Sequence, residues 1–301
     1  MRRRVAYITF PEQHGSDSKL LAEQKRLRGV NIRFNIKTFS QIGIPATADI
    51  TIWNLNRKDT QYLSTSASTW LQKQNLISLY AGYDDNVKLL ASGQIMEAIP
   101  TGNPDIALHI KVLSGAKWLG ENMSFSKDQC TISDLLDDIN RKTGWKINTT
   151  DIAKKNPWWN KQLQNFSFTG SPYDLLAQIQ EMTGGFSLDK NGLNFATGFD
   201  EVYTWGVDAN NGKDILLVNK NTGMIDYPQP TTAGVIVKTL LNPSVHSGQI
   251  ISLTSERSSF VNGLYCVSSV EHTGELRAND WYTTLNCARV SGVKESKNEK
   301  Q

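Results

Sequence analysis

Hydrophobic and polar positions alternate with a period of two through the first hundred residues. Val30, Ile32, Phe34 and Ile36 fall on one face and Asn31, Arg33, Asn35 and Lys37 on the other, the signature of a half-buried strand. The same reading predicts strands at 5–10, 48–55 (ADITIWNL), 76–83 (LISLYAGY), 89–98 (LLASGQIMEA) and 105–113 (DIALHIKVL). One or two helical turns fit residues 57–63, between the strands at 48–55 and 76–83. Strands at this spacing, separated by turn residues, imply an antiparallel barrel or sandwich.

The period changes in the middle of the chain. In TISDLLDDINRK (131–142), Ile132, Leu135, Leu136 and Ile139 share one helix face. Thr131 or Ser133 supplies an N-cap, and Gly144 a stop. SPYDLLAQIQEM (171–182) repeats the design, with Ser171 as cap, Pro172 in the first turn, Asp174 completing a capping box, and Gly184 as stop. Asp134-Leu135-Leu136, Ile139 and Thr143-Gly144 recur 40 residues later as Asp174-Leu175-Leu176, Ile179 and Thr183-Gly184. Ser124-Phe125 and Ser167-Phe168 precede the helices. Short apolar strands, Trp145-Lys146-Ile147 and Phe186-Ser187-Leu188, follow them. The pattern predicts two β-α-β units in tandem, the second continuing through a hairpin turn at Asp189-Lys190-Asn191-Gly192.

Alternation returns at 234–241, 249–254, 264–272 and 281–290, punctuated by Asn242-Pro243, Asn262-Gly263 and the stretch 274–280. The expected fold is therefore α+β and mainly β. A first β-barrel domain spans 1–115, small α/β units span 116–155 and 156–203, a second β-barrel domain spans 204–292, and a solvated tail occupies 293–301.

Composition narrows the class. The 301 residues are 39% hydrophobic and 20% charged, with a formal net charge of +3, which excludes a disordered chain and does not make the whole chain a nucleic-acid binder. No apolar run approaches the roughly 18 residues of a membrane span. The basic start MRRR leads into an apolar run that is too short for a secretory signal and ends at Pro11. Cys130, Cys266 and Cys287 are too few and too scattered for a disulfide framework, and no CxxC suggests zinc. That usage fits a reduced compartment.

Familiar catalytic motifs are missing. GxSxG, HExxH, a P-loop and a dinucleotide fingerprint are all absent. His246-Ser247-Gly248 reads as a turn. Asp189-Lys190-Asn191-Gly192 and Asp208-Ala209-Asn210-Asn211-Gly212 open like calcium loops but lack the Gly at position six and the Glu at position twelve. Asp137 and Asp138 fall on a solvated helix face, where Asp137 can pair with Arg141. Glu97 and Glu271 lie in strands and are the carboxylates a hydrolase would need to bring together. Trp158-Trp159 either packs between the small units or contacts a partner. Cys266 and Cys287 read as small buried apolar groups.

Three stretches carry a family resemblance. The first runs from Ile32 to Ile95, through Ile50, Ile52, Asn54 and Leu55, then Ala81-Gly82-Tyr83, Gly93 and Ile95. The second is the DLL…I…TG pair. The third runs through Pro243, Gly248, Ile251, Leu253, Gly263, Tyr265, Val267, Val270, His272, Gly274, Trp281, Thr283 and Leu285. In order and spacing they resemble the baseplate hub of contractile phage tails, the family of late-control D-type proteins and the hub half of the type VI secretion spike. The resemblance implies two tail-tube-like barrels and no catalytic site, metal or cofactor. It also makes His272 a strand position rather than a catalyst.

By the same resemblance, a homotrimer would form a pseudo-sixfold ring that adapts the hexameric tail tube to the trimeric spike. Its partners would be the tube, spike, tape measure and other baseplate proteins, with DNA passing only in transit and no stable membrane insertion. The chain would be assembled in the bacterial host cytoplasm and reside in the virion. The ring's inner wall would be polar and not strongly positive, because clustered Lys and Arg would hold phosphates. Two other readings stand beside this one. One is a glycan-binding, adhesin-like β protein using Trp158 and Trp159; the other is a cell-wall hydrolase using dispersed carboxylates such as Glu97 and Glu271.

Overall fold

A computed structural model describes residues 3–11, 24–66, 76–84, 86–102, 106–149, 153–154, 156–185, 192–199, 201–205 and 215–290. The class is α+β, mainly β. The first β region comprises β1 (Arg4–Pro11), β2 (Gln24–Leu27), β3 (Asn31–Phe39), β4 (Thr47–Trp53), α1 (Arg57–Ser66), β5 (Leu76–Tyr83), β6 (Asn86–Thr101) and β7 (Ala107–Leu113). These strands pair antiparallel in the order β2–β1–β5–β6–β7–β4–β3. The long strand β6 carries register shifts opposite both neighbours, and such bulges bend a strand. The inward positions Ile8, Ile32, Ile36, Ile50, Leu79 and Ile110 form one core, joined by Leu63 of α1.

The middle comprises β8 (Met123–Cys130), α2 (Ile132–Thr143), β9 (Lys146–Thr149), β10 (Leu163–Gly170), α3 (Pro172–Thr183), β11 (Asn194–Thr197) and β12 (Glu201–Trp205). Both helices begin as their sequences require. Thr131 and Ser171 accept from the backbone N–H groups of Asp134 and Asp174, whose carboxylates accept in return from the cap backbones. Gly144 and Gly184 end the helices in the left-handed conformation, at φ 76° and 73°. The hydrogen bonds from Thr131 hold the Asp134 carboxyl below its usual range.

The two repeats do not form separate sheets. Strand β8 pairs with β10, so the strands preceding the two helices meet each other. Strand β9 runs parallel to β12, which pairs with β11. Leu135, Leu136 and Ile139 of α2 and Leu175, Leu176 and Ile179 of α3 then share one core. A single helix on a short sheet covers too little apolar surface, and interleaving the two copies doubles it. The expected strand at 186–188, the turn at 189–191, the 208–212 segment and the 293–301 tail lie outside the described residues.

The last region comprises β13 (Leu216–Val218), β14 (Gln229–Pro230), β15 (Gly234–Leu240), β16 (Ile250–Leu253), β17 (Gly263–Glu275) and β18 (Trp281–Arg289). Val235, Val237, Ile251, Leu253, Val267 and Leu285 belong to its core. A register shift between Val267 and Ser269 divides β17. Its first half pairs with β16 and its second half with β3.

The expected closed barrels are not found among the described residues. Strand β3, which closure of the first region would require, pairs instead with β17, from Arg33–Glu275 to Phe39–Ser269. The two β regions thereby share one sheet, along the path β14–β15–β18–β17–β3–β4–β7–β6–β5–β1–β2. That sheet is strongly rolled. Tyr83 of β5 and Trp281 of β18 are six steps apart on the path, about 29 Å in a flat sheet, yet their rings are 6.4 Å apart. Trp281 is fully buried and meets Phe34 edge-on at 5.4 Å.

Gly274 lies in this junction, where an added Cβ would strike the Phe34 ring and come within 2.8 Å of Trp281. Gly274→Ala is therefore expected to destabilise the fold by about 1–3 kcal/mol through overpacking. A lowered urea midpoint with unchanged m-value is the measurement that checks it.

Candidate functional site

A continuous polar surface runs over the outward face of β15, β18, β17, β3, β4, β7 and β6. Apolar positions of these strands point to the cores, so their alternates align across the register. One row reads Lys238, Thr284, Glu271, Lys37 and Thr47. The next reads Tyr282, Thr273, Asn35, Asp49, Lys111 and Glu97. On this face, among the described residues, the charged members are Arg33, Lys37, Lys111 and Lys238 against Asp49, Glu97, Glu271 and Glu275, four of each sign; Lys88 of β6 and Arg289 of β18 share the register of the inward positions Ala81 and Tyr265.

Opposite charges sit side by side. Lys111 Nζ is 2.7 Å from Glu97, and Lys37 Nζ is 3.4 Å from Glu271. Asn35 donates to Glu271 at 2.7 Å and Asn31 to Glu275 at 3.2 Å. Thr51 and His109 are hydrogen-bonded at 3.0 Å, and Asn286 donates to Ser269 at 3.0 Å. The hydrogen bond and charge of Glu97 raise the pKa of Lys111 above its ordinary value. Exposed pairs of this kind add little stability each, about 0–1 kcal/mol. Their effect is on potential: the face is highly polar and locally neutral. Arg33, Asp49, Lys111, Lys238 and Glu275 were not singled out by sequence as a group, although the polar half of each alternation was visible.

The residues with candidate chemistry are dispersed. Glu97 and Glu271 share the polar face but are separated by β7, β4 and β3. Each is paired with a lysine, Glu97 with Lys111 and Glu271 with Lys37, rather than set opposite the other as the carboxylates of a glycosidase are. His272 is buried in the junction, with Nδ1 2.9 Å from the Thr283 hydroxyl. That hydroxyl also accepts from the Asn242 backbone N–H. Burial pushes the His272 pKa down to about 4. Ser247 is buried against Thr38 at 3.0 Å, and His246 stacks on Tyr203 at 4.0 Å.

Cys266 and Cys287 are buried thiols whose pKa values burial raises to about 12, so neither is a nucleophile at neutral pH. On α2 it is Asp138, not Asp137, that meets Arg141, and Lys127 joins it from β8. The i,i+3 spacing and the strand lysine favour that carboxylate. Of the tryptophan pair, Trp159 packs into the middle core at 9% exposure. Trp158 is half-buried, with the Lys161 ammonium 3.8 Å from its ring centre. Among the described residues, no three His, Cys, Asp or Glu side chains gather as metal ligands. No described helix is long and apolar enough to cross a membrane.

The family model described as baseplate hub gp41 matches residues 16–287. The chain belongs to this baseplate hub family. It is a structural protein of the phage tail, associated with the virion. The tail protein of 43 kDa from prophage MuSo2 of Shewanella oneidensis shares the fold, with a TM-score of 0.56 at 9% identity over 95% of this chain and 98% of that one. The tail protein of Neisseria meningitidis MC58 does so with a TM-score of 0.56 at 11% identity over 95% and 96%. The Escherichia coli c3393 protein is described as a type VI secretion component similar to T4 tail proteins gp27 and gp5. It aligns with a TM-score of 0.51 at 11% identity over 87% and 74%. No curated protein matches the chain in sequence.

The buried hub-family histidine sets an acid limit. His272 binds a proton near pH 4 when folded and near its ordinary pH 6.5 when unfolded. The unfolded state therefore takes up more protons between these values, so stability falls as pH drops through that window. The loss approaches about 3 kcal/mol. Denaturation at pH 7 and pH 4.5 should show His272→Asn losing less stability on acidification than the parent.

Proposed function

We propose that three copies of this hub-family chain form a pseudo-sixfold ring between the hexameric tube and the trimeric spike of a contractile tail. The observation that carries the reading is the shared sheet. One chain holds two β regions side by side, joined strand to strand through β3 and β17, and three such chains present six. The neutral polar face of β15–β18–β17–β3–β4–β7–β6 is the inner wall.

A wall of paired charges suits that task physically. A polyanion gains affinity by releasing counterions to unpaired Lys and Arg. Here four basic side chains are matched by four acidic ones, so a passing tape measure protein or DNA finds few fixed partners. The middle unit, hooked to the end of β3 through Thr197 and Phe39, stands where other baseplate proteins are reached, and Trp158 is one of its half-buried aromatics. No step of this role needs catalysis, a metal or a cofactor.

Native mass spectrometry after co-expression with the spike tests the assembly, and a three-to-three complex is the expected result. A one-to-one complex, or no complex, would overturn it. The wall has its own test. Glu97→Lys with Glu271→Lys turns four negative charges into two and adds two positive ones. DNA delivery by tails carrying this variant should drop at least tenfold, with normal particle numbers in electron micrographs.

A further inference from the structure

Beyond β15, at the β14 end of the sheet, an open cleft of about 420 Å³ lies between residues 219–227 and the loop at 254–257. Both walls are fastened by their own hydrogen bonds. On one, the Asn219 side chain accepts from the backbone N–H groups of Asn221 and Thr222 at 2.9 and 3.0 Å, and the Ile225 N–H donates to the Lys238 carbonyl at 3.0 Å. On the other, the Thr254 N–H donates to the Val218 carbonyl at 3.0 Å and the Ser255 N–H to the Asn262 side chain at 2.7 Å. Tyr227 lines the cleft with 56% of its surface exposed. The Arg257 guanidinium donates to its hydroxyl at 2.6 Å, so the ring is held at its polar tip from the opposite wall. Lys220, Arg257, Asp226 and Glu256 line the same cleft, two charges of each sign.

The geometry points to a binding site for a neutral oligosaccharide, with Tyr227 as its stacking platform. The site goes beyond the ring reading and does not depend on it. A pyranose ring has an apolar C–H face and a rim of hydroxyls, each both donor and acceptor. The C–H face fits an exposed phenol ring, whose body is apolar and whose tip is polar. The rim fits carboxylates that accept, a guanidinium and an ammonium that donate, and the Asn221 amide, which does both. A guanidinium has five N–H donors, so Arg257 can hold Tyr227 and still serve a hydroxyl. The volume lies within the range of small-molecule sites, about 300–1,000 Å³, and walls fixed in advance lower the ordering cost of binding. Other ligand classes fit less well. A nucleic acid or other polyanion needs unpaired cations, and the cations lining this cleft are matched by acids. An extended peptide needs a free strand edge, and the 224–230 segment offers little of one. Ile225 has given its N–H to Lys238, and Pro228 and Pro230 have none to give.

Saturation-transfer NMR and calorimetry on the full chain, with cellotetraose, maltotetraose and chitotetraose as probes, test the site. At least one of the three should bind with a dissociation constant of about 1 mM or tighter. Tyr227→Ala and Glu256→Gln, each made singly, should weaken that binding about tenfold or more. Tyr227→Phe keeps the ring and removes the Arg257 bond, and should cost less than Tyr227→Ala. Trp158→Ala should leave binding unchanged. Circular dichroism and urea midpoints confirm that each variant folds as the parent does, and Glu256→Gln, at an exposed side chain, decides the matter if loss of the Tyr227 ring unfolds the region. The site is overturned if none of the three probes binds at about 10 mM, if Tyr227→Ala and Glu256→Gln leave binding unchanged, or if Trp158→Ala abolishes it. None of these outcomes alters the three-to-three stoichiometry expected of the ring.

Discussion

The pairing of β3 with β17 is the constraint on which the rest of the molecule depends. It joins residues 33–39 to 269–275, and so places the beginning and end of the described chain in one sheet. Without it, β3 would present an open edge, and each β region would be a separate small sandwich. With it, the polar alternates of both regions align into one face. The junction is packed as tightly as a core. Trp281 closes on Phe34 and Tyr83, Arg4 lies over its ring, and Gly274 leaves the space that Phe34 fills.

The resemblance residues gain a physical reason from this geometry. His272, Gly274, Trp281 and Thr283 are matched positions of the closing stretch, and all four lie where the two regions meet. A buried histidine held by Thr283, a glycine under an aromatic ring and a fully buried tryptophan serve packing between strands distant in sequence. Gly82 and Gly93 serve a similar end in the first region. A Cβ at Gly82 would strike the Asn86 carbonyl, and one at Gly93 would come within 2.6 Å of the Leu113 carbonyl. These positions therefore accept no side chain while β5, β6 and β7 keep their register.

Much of the fold was legible in the sequence, because period-two alternation and helix caps are local signals. The strands at 31–39, 47–53, 76–83, 107–113, 234–240 and 281–289 follow directly from alternating Ile, Val, Phe and Thr. The helices follow from Thr131, Ser171 and their capping aspartates. Long-range pairing was not legible. Nothing in IRFNIKTF says that its free edge meets SVEHTGE rather than its own barrel. The similarity of the two middle repeats suggested tandem units, whereas identical sequence signals equally permit interleaving, and burial of both helices in one core decided it. The same limit applies to the candidate site. Each strand showed its polar half, but which strands lay side by side, and hence how Lys111 meets Glu97 and Lys37 meets Glu271, required the register.

The β3–β17 pair also bears on how the chain is made. A ribosome adds about 5–20 residues per second, so roughly 240 residues, or about 12–48 s of synthesis, separate the emergence of β3 from that of its partner strand. During that interval the nascent β3 carries an unpaired edge, the kind of surface that recruits stray strands. Arg33 and Lys37 on its exposed face supply the charges that natural sheets use to discourage such pairing. The shared sheet can be completed only after β17 has left the exit tunnel, so the first β region cannot finish maturing ahead of the last.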